Sequence, residues 1–191
     1  MIWWDHGIAR SRYGDRVPFF CAVPYGANTE PWFYLRRSAH YLQNALPGAL
    51  VAIGVREPGA DLFGDAIGVG PLRGLLLLGR PIARVLPQDG TMAEITRLVL
   101  DDGFPRGTAS ALIRFALATA KKRGIRRVDA LHDRSRHSGC AYRKAGMRKL
   151  SKTKARTTGG WESRDRSQSA IEAGHRKKQR WTWEASWEDA A

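Results

Sequence analysis

The sequence predicts an α/β (equally describable as α+β) domain in which helices flank a mixed central β-sheet. Three observations lead there. The chain has 191 residues, enough for one domain with a sizeable core. Its apolar residues recur at helical spacing in some segments and alternate or run together in others, which are the signals of helix and strand. Those segments follow one another as helix, several strands, helix, strand, helix, strand, an order that suits a sheet layered with helices, and no internal repeat interrupts it.

Residues 1–30 carry aromatics among Gly, Pro and Asn without a clean period, which predicts an irregular arm that packs its rings onto the domain. "PWFYLRRSAHYLQNAL" starts with a proline at a helix-compatible position, repeats apolar residues at Phe33, Leu35, Ala39, Leu42 and Leu46, and stops at Pro47-Gly48, so a first helix is expected there. "ALVAIGVRE" reads as a short buried strand, "LRGLLLLGRPIARVL" as one long bent strand or two, and "AEITRLVL" as another. From about Arg106 to Lys122, Ala109, Leu112, Ile113, Ala116, Leu117 and Ala120 form one apolar stripe, and Gly124 suits a left-handed cap. "IRRVDALHD" alternates as a strand, "SGCAYRKAG" is a short helix, and "MRKLSKTKA" is a strand. Gly, Ser and charge from Thr157 to Lys178 predict a loop before "QRWTWEASW", a terminal strand with alternating tryptophans. The core is thus expected over 31–156, with 157–191 supplying a basic loop and a C-terminal strand of the same domain.

The formal net charge is +14 and unevenly placed. About 20 of the 32 Lys and Arg lie between Lys121 and Trp183, against about five acids, whereas the first half is near neutral. A basic third on a folded domain points to a polyanionic partner, nucleic acid first, with a basic solvated surface as the plain alternative. The apolar runs "LVAIGV" and "LLLLG" are far shorter than the roughly 20 residues needed to span a bilayer, and "MIWWDHG" lacks the basic and apolar regions of a signal peptide. A soluble, cytoplasmic protein with no membrane partner is expected. Cys21 and Cys140 show no CxxC spacing, so both read as reduced thiols rather than as a disulfide or a zinc site.

The stretch "RLVLDDGFPRGTASALIRFALATAKKRG" runs from a strand through a glycine turn into a helix. A helix N-terminus presents unpaired N–H groups and partial positive charge, so it binds anions without a specific side chain. Gly107, Thr108, Ala109 and Ser110 leave the first turn nearly bare, Thr108 and Ser110 add hydroxyls, and Arg106 adds a cation. A pyrophosphate is the natural guest; a simple cap or a close helix–sheet contact is the plain alternative.

This segment resembles the pyrophosphate-binding motif of the GNAT N-acetyltransferases, in which a strand feeds a Gln/Arg-x-x-Gly-x-Gly/Ala turn. Gly107 and Ala109 match the last two small positions, and Phe104 stands where the family has Gln or Arg. "SGCAYRKAGMRK" is similar to the family's Ala-x-x-x-Tyr-x-x-x-Gly-Phe element, which puts Tyr142 where a tyrosine protonates the departing thiolate. The resemblance implies a GNAT-like acyl-CoA N-acyltransferase fold with acetyl-CoA, or another acyl-CoA, as cofactor. Its pantetheine chain would pair with the backbone of Val99 and Leu100, and its pyrophosphate would rest on Gly107 to Ser110 beside Arg106.

Over most of 72–184, "LLLLGRPIARVLPQDGTMAEITRLVLDDG" and the terminal "GGWESR…KKQRWTW" resemble small acetyltransferase-like proteins of phages and prophages. "RLVLDDGFPRGTAS" with "HDRSRHSGCAYRKAG" also resembles the Mu-type phage DNA-modification proteins, which alter adenine in phage DNA and protect it from host restriction enzymes. That resemblance implies an active site lined by Arg97, Asp133, Ser138 and Tyr142. It also implies a metal near His40 and Tyr41, and a setting in the cytoplasm of a phage-infected or prophage-carrying host.

Each candidate has a plain reading beside the chemical one. Tyr142, with an ordinary pKa of about 10, can return a proton to a thiolate, or it can simply pack on its helix. Glu94 can take a proton from an incoming amine through a water, and is equally explained as a strand residue facing solvent. Asp133 ends a strand, where open α/β sheets gather ligands, or else caps the next helix. His40 on a helix reads as a packing histidine, since no His or carboxylate stands at i+4. His132 and His137 flank Asp133, so a metal cluster can be drawn, though the spacing does not demand one. Trp181 and Trp183 read as packing residues, while Trp161 and Trp187 stay open between packing and stacking on bases.

Three functions are compatible with these observations. The first is an acyl-CoA-dependent N-acyltransferase that modifies nucleic acid, most naturally a base in phage DNA, with Tyr142 as acid and Glu94 or Asp133 as base or orienting group. The second is an acetyltransferase of a small-molecule or protein amine, and the third a non-catalytic nucleic-acid-binding protein on the same fold. The acyl group and the oligomeric state, a homodimer included, are not legible.

Overall fold

The computed structural model describes residues 3–5, 8–10, 18–38, 48–56, 59–60, 66–67, 70–83, 85–152 and 178–186. In chain order these form β1 (Trp3–Asp5), β2 (Ile8–Arg10), β3 (Phe19–Ala22), α1 (Glu30–Arg37), β4 (Val51–Arg56), β5 (Gly59–Ala60), β6 (Ala66–Ile67) and β7 (Leu72–Gly79). Then follow β8 (Met92–Leu100), α2 (Thr108–Lys122), β9 (Arg127–Asp133), α3 (Cys140–Lys144), β10 (Arg148–Lys152) and β11 (Lys178–Glu184). Seven of the strands pair in the order β10, β11, β9, β8, β7, β4, β3, while β1 pairs with β2 and β5 with β6 in two small ribbons. Among the described residues only the β8–β9 pair is parallel; the other pairs are antiparallel. The mixed α/β sheet that the pattern predicts is present.

The run "GLLLLG" is apolar without a break because β7 lies at the centre of the sheet and is buried on both faces. Leu76 and Leu78 belong to a core that also holds Leu112, Ile113, Ala116 and Leu117 of α2, together with Tyr142 and Met147. Leu75 and Leu77 point the other way, into a smaller core with Tyr34 and Leu35 of α1. Helices therefore cover both faces. The strand ends at Gly79, and the chain after it is a turn stapled by Gln88, whose amide donates to the carbonyls of Pro81, Ala83 and Leu86.

α2 buries the predicted stripe from Leu112 to Ala120 and starts two residues later than expected, because Pro105 to Gly107 form a turn and Gly107 takes a φ of 102°. Its end is a paired left-handed cap: Gly124 (φ 78°) donates to Lys121 and Ile125 donates back to Ala120. α1 begins at Glu30, one residue before the predicted Pro31, and is shorter than the pattern. Ser38 turns extended (φ −64°, ψ 145°), and its hydroxyl takes the carbonyl of Leu35, so the helix stops at Arg37. Residues 39–47 lie outside the described ones. The expectation of irregular structure over 1–30 is also corrected: that segment holds β1, β2 and β3, and β3 is an edge strand of the main sheet.

Candidate active-site cleft

The site begins with a defect in the pairing of β8. Its register against β7 is regular from Leu100 back to Arg97 and regular again from Ile95 to Glu94, with Thr96 as the extra residue of a bulge. The bulge flips the side-chain alternation: Ala93 and Ile95 face α2, and beyond it Leu98 and Leu100 do, while Val99 faces α1. β9 follows β8 in parallel only from Met92 to Ile95, opposite Arg127 to Ala130. Beyond Ala130, β9 continues with β11 alone, so the two central strands part. A cleft of about 1210 Å³ opens between them, floored by Thr96 to Leu100 and closed at one end by Ala109 of α2 and Tyr142 of α3.

The parting leaves one edge of β8 without a strand. Asp101 donates to the carbonyl of Arg73, which fixes the hydrogen-bonded pairs with β7 at Asp101, Val99 and Arg97. The peptide groups of Leu98 and Leu100 therefore face the cleft. Of the two residues predicted to pair with a ligand chain, Leu100 is so placed and Val99 is not, because its peptide turns to β7 and its side chain packs under α1. Leu98 takes its place.

At the far end of that edge stands the first turn of α2. The residue before the helix, Gly107, is exposed, and a Cβ on it would meet nothing within 4 Å. Ala109 lines the cleft, and Arg106 is exposed beside it. Thr108 and Ser110 are buried, and their hydroxyls donate to the carbonyls of Pro105 and Gly107, each at 2.8 Å, so these side chains brace the turn. The Thr108 N–H donates to the Pro105 carbonyl at 3.2 Å, so of the first turn the Ala109 and Ser110 N–H groups are what an anion would meet. Phe104, which stands where the resembled motif has a polar residue, packs against the main core and anchors the turn.

On the other wall, Tyr142 is 9% exposed and stacked on His132 (centroids 5.7 Å, 23°) and on Trp181 (5.9 Å, 21°). Trp181 Nε1 donates to His132 Nδ1 at 2.7 Å. Burial, with the charges of His137 and Arg134, pushes His132 below the ordinary histidine range, so it is neutral with its proton on Nε2. Gly139 permits the stack: with φ 74° it starts the α3 turn where a Cβ would come within 2.7 Å of His132 and 2.8 Å of Trp181. Arg97 is buried in the cleft floor and donates to the Thr96 carbonyl at 2.7 Å, and Ser138 lies on the rim.

The two predicted carboxylates are elsewhere. Asp133 does not line the cleft; its Oδ1 accepts the Ser135 amide (2.9 Å) and hydroxyl (2.6 Å), and Arg136 approaches Oδ2 at 3.8 Å, so it fixes the turn into α3. Glu94 is buried, paired across the sheet with Asp129, and accepts the Ile82 amide at 3.0 Å. Burial pushes its carboxyl up. It too is absent from the cleft wall. His40, Tyr41, Trp161 and Trp187 fall outside the described residues, and among those described no group of three or more His, Cys, Asp or Glu is placed to hold a metal ion. Trp181 and Trp183 pack on the main core, as expected. No described helix is long and apolar enough to cross a membrane.

The aromatic trio is the part of the site that sequence reasoning did not assemble. In the sequence Tyr142, His132 and Trp181 stand apart, each with a signal of its own. The signal that joins them is the register of β9 with β11, which sets Ala130 opposite Trp181 and His132 opposite Gln179.

No protein-family model matches the chain, and no curated protein matches it in sequence. Solved structures do. An acetyltransferase of Bacillus subtilis in complex with CoA superposes with a TM-score of 0.55 at 15% identity, over 88% of this chain and 99% of that one. An IAA acetyltransferase from Bacillus cereus gives 0.53 at 19% identity over 88% and 99%. A GNAT-family acetyltransferase from Elizabethkingia anophelis with acetyl-CoA bound gives 0.53 at 15% identity over 87% and 98%. The parted parallel pair, the bulged central strand and these superpositions together make the fold of this chain that of the GNAT acetyltransferases.

Proposed function

We propose that the protein is an acyl-CoA-dependent N-acyltransferase whose acceptor is a nucleic-acid base. The observation that carries the first half is the open edge of β8, which offers the peptide groups of Leu98 and Leu100 along a cleft that ends at the bare first turn of α2. An extended chain carrying amides and ending in a pyrophosphate fits that edge and that turn. Solved neighbours bound to CoA and to acetyl-CoA support the same cofactor here. Leu98 and Leu100 would hold the chain of that cofactor, and the amides of Ala109 and Ser110 with Arg106 its pyrophosphate. Acyl-CoA supplies an activated acyl thioester when bound.

The residues of the chain then have to manage protons. Tyr142, packed against both His132 and Trp181, carries a hydroxyl proton at the cleft wall. Of the two carboxylates the sequence points to, Asp133 is committed to its turn, which leaves Glu94 to accept a proton, relayed by a water because it stands outside the cleft wall. Burial raises its carboxyl toward the range where a base works near neutrality. The basic third of the chain supports a nucleic-acid acceptor, and the resemblance to Mu-type phage proteins supports a DNA base and an anti-restriction role.

Calorimetry with acetyl-CoA tests the first half, comparing the parent with Ala109→Glu. An acid in the first turn suits the helix dipole, so this variant stays folded while its carboxylate repels a pyrophosphate. Micromolar binding by the parent, weakened at least about a hundredfold in the variant, is the expected result, with labelled acyl transfer to DNA as the following assay. No binding by the parent would leave the non-catalytic, nucleic-acid-binding reading in its place. Tyr142→Phe keeps the stack and removes only the hydroxyl; kcat is expected to fall about a hundredfold, with acetyl-CoA affinity within about twofold. Thiol release measures it, and an unchanged kcat would remove Tyr142 from the mechanism.

A further inference from the structure

A second cavity, of about 510 Å³, adjoins the cleft on the α3 side of the sheet. It shares His132, His137, Ser138, Gly139 and Cys140 with the cleft and adds a wall that the cleft does not have, made by Arg134, Arg143, Lys149 and Gln179. The size lies within the range of small-molecule sites, about 300–1,000 Å³. Two features set it apart from an ordinary basic surface.

The first is uncompensated charge. Arg134, Arg143 and Lys149 are exposed at the rim, and among the described residues none of them is in an ion pair. Arg143 makes only a long contact with Cys140 Sγ, at 3.9 Å. Three cations around one opening attract an anion with several oxygens.

The second is a buried acceptor. Gln179 is 1% exposed, and its Nε2 donates to the carbonyls of Leu150 (2.6 Å), Arg180 (2.9 Å) and Ser151 (3.3 Å). Three carbonyls around Nε2 fix which end of the amide is which. Its Oε1 is buried with no hydrogen-bond partner among the described residues. Buried acceptors are ordinarily satisfied, so this one is held for a donor that arrives from outside. On the same wall the His132 ring is held in place, its Nδ1 accepting from Trp181 and its other side bonded to the His137 backbone.

A ligand that satisfies this wall has an N–H donor on one flat apolar body, with phosphate oxygens close by. We infer that the cavity receives one unpaired nucleotide of a nucleic-acid strand, its base donating to Gln179 Oε1 and its flanking phosphates lying on Arg134, Arg143 and Lys149. A base still stacked in a duplex cannot reach such a pocket, so the nucleotide is flipped out or already single-stranded. This assignment rests on the nucleic-acid reading above, and it adds the residues that hold the acceptor and the unpaired state in which it is held.

Fluorescence anisotropy with a labelled duplex carrying one unpaired adenine tests it, beside the same duplex with an abasic site there. The protein pair is the double variant Arg134→Ala/Arg143→Ala and a control, Arg114→Ala/Lys122→Ala, which removes the same charge from exposed positions on α2. Expected are binding at least about fivefold tighter to the unpaired adenine than to the abasic duplex, a tenfold or greater loss and a shallower salt slope in the cavity variant, and about a twofold loss in the control. Gln179→Met should erase the preference for the base while keeping salt-dependent binding; should it fail to fold, the abasic comparison on the parent decides the same point. Equal losses in the two double variants, or equal binding of the two duplexes, overturns the cavity assignment and leaves general nucleic-acid binding standing. Absence of salt-dependent binding by the parent overturns the nucleic-acid reading itself. Free adenosine monophosphate competing as well as the duplex would show a mononucleotide site and overturn the strand assignment.

Discussion

Trp181→Ala is expected to lower stability by about 3–5 kcal/mol, the cost of deleting a buried aromatic ring from a packed core, and to abolish the proposed acyl transfer. Trp181 is 5% exposed and forms one layer with Tyr142 and His132. For a chain of this size the melting temperature should fall by roughly 10 °C. Trp181→Phe separates packing from hydrogen bonding. It keeps most of the ring and deletes Nε1–H, so His132 Nδ1 is left as a buried acceptor without its donor, at about 1–3 kcal/mol. The imidazole is then free to turn, and Tyr142 loses the surface that orients it. The Phe variant should therefore melt much closer to the parent than the Ala variant does, yet show a kcat far below the parent. If Phe restores kcat fully, the hydrogen bond has no part in the site; if Ala melts within about 2 °C of the parent, Trp181 is not a core residue.

The contrast between the two walls of the cleft explains what the sequence disclosed. The wall built by α2 is local: a glycine turn, small residues and an apolar stripe are contiguous, so Gly107, Ala109 and the end at Gly124 could be read directly. The central sheet was legible for the same reason, since "GLLLLG" and "MAEITRLVL" carry strand signals within a few residues. The other wall is non-local. His132 and Trp181 are brought together by pairing between β9 and β11 across 49 positions, and nothing near either residue announces the other. The bulge at Thr96 is hidden similarly, because an alternation that slips by one residue looks like an ordinary apolar run. That slip is why Leu98, rather than Val99, shares the cleft edge with Leu100. Asp133 and Glu94 were found as carboxylates at suggestive places, but their partners, Ser135 and the Ile82 amide, decide what they do. β3 escaped notice because four residues give alternation too little length to register.

The two buried carboxylates on the face opposite α2 should give opposite pH signatures. Asp129 is 3% exposed; its Oδ1 accepts Arg127 Nε (2.9 Å) and the Thr182 hydroxyl (2.7 Å), and its Oδ2 accepts Arg127 Nη2 (3.0 Å), Arg180 Nε (2.8 Å) and Arg180 Nη2. Burial alone would raise this carboxyl, but the bonds from Arg127, Thr182 and Arg180 outweigh it and hold it below the ordinary aspartate range. A depressed carboxyl contributes stability above its unfolded pKa, about 4, and that contribution is lost as pH falls through the lower folded value. Asp129→Asn should thus cost about 2–3 kcal/mol at pH 7, less than a fully buried pair because Arg127 and Arg180 side chains are 34% and 30% exposed. The difference from the parent should shrink as pH falls toward 3. Glu94 has the reverse sign. Burial raises it, so its ionisation opposes folding above the folded pKa and has no effect once pH drops below the unfolded value. Glu94→Gln retains an acceptor for the Ile82 amide and removes the charge, so it should equal or exceed the parent in stability at pH 7 and converge with it near pH 4. Urea unfolding of both variants across that range is the measurement. Curves that run parallel to the parent would show that neither carboxyl is perturbed as its surroundings require, whereas convergence from opposite sides would separate the carboxylate that braces the sheet from the one left free to exchange a proton.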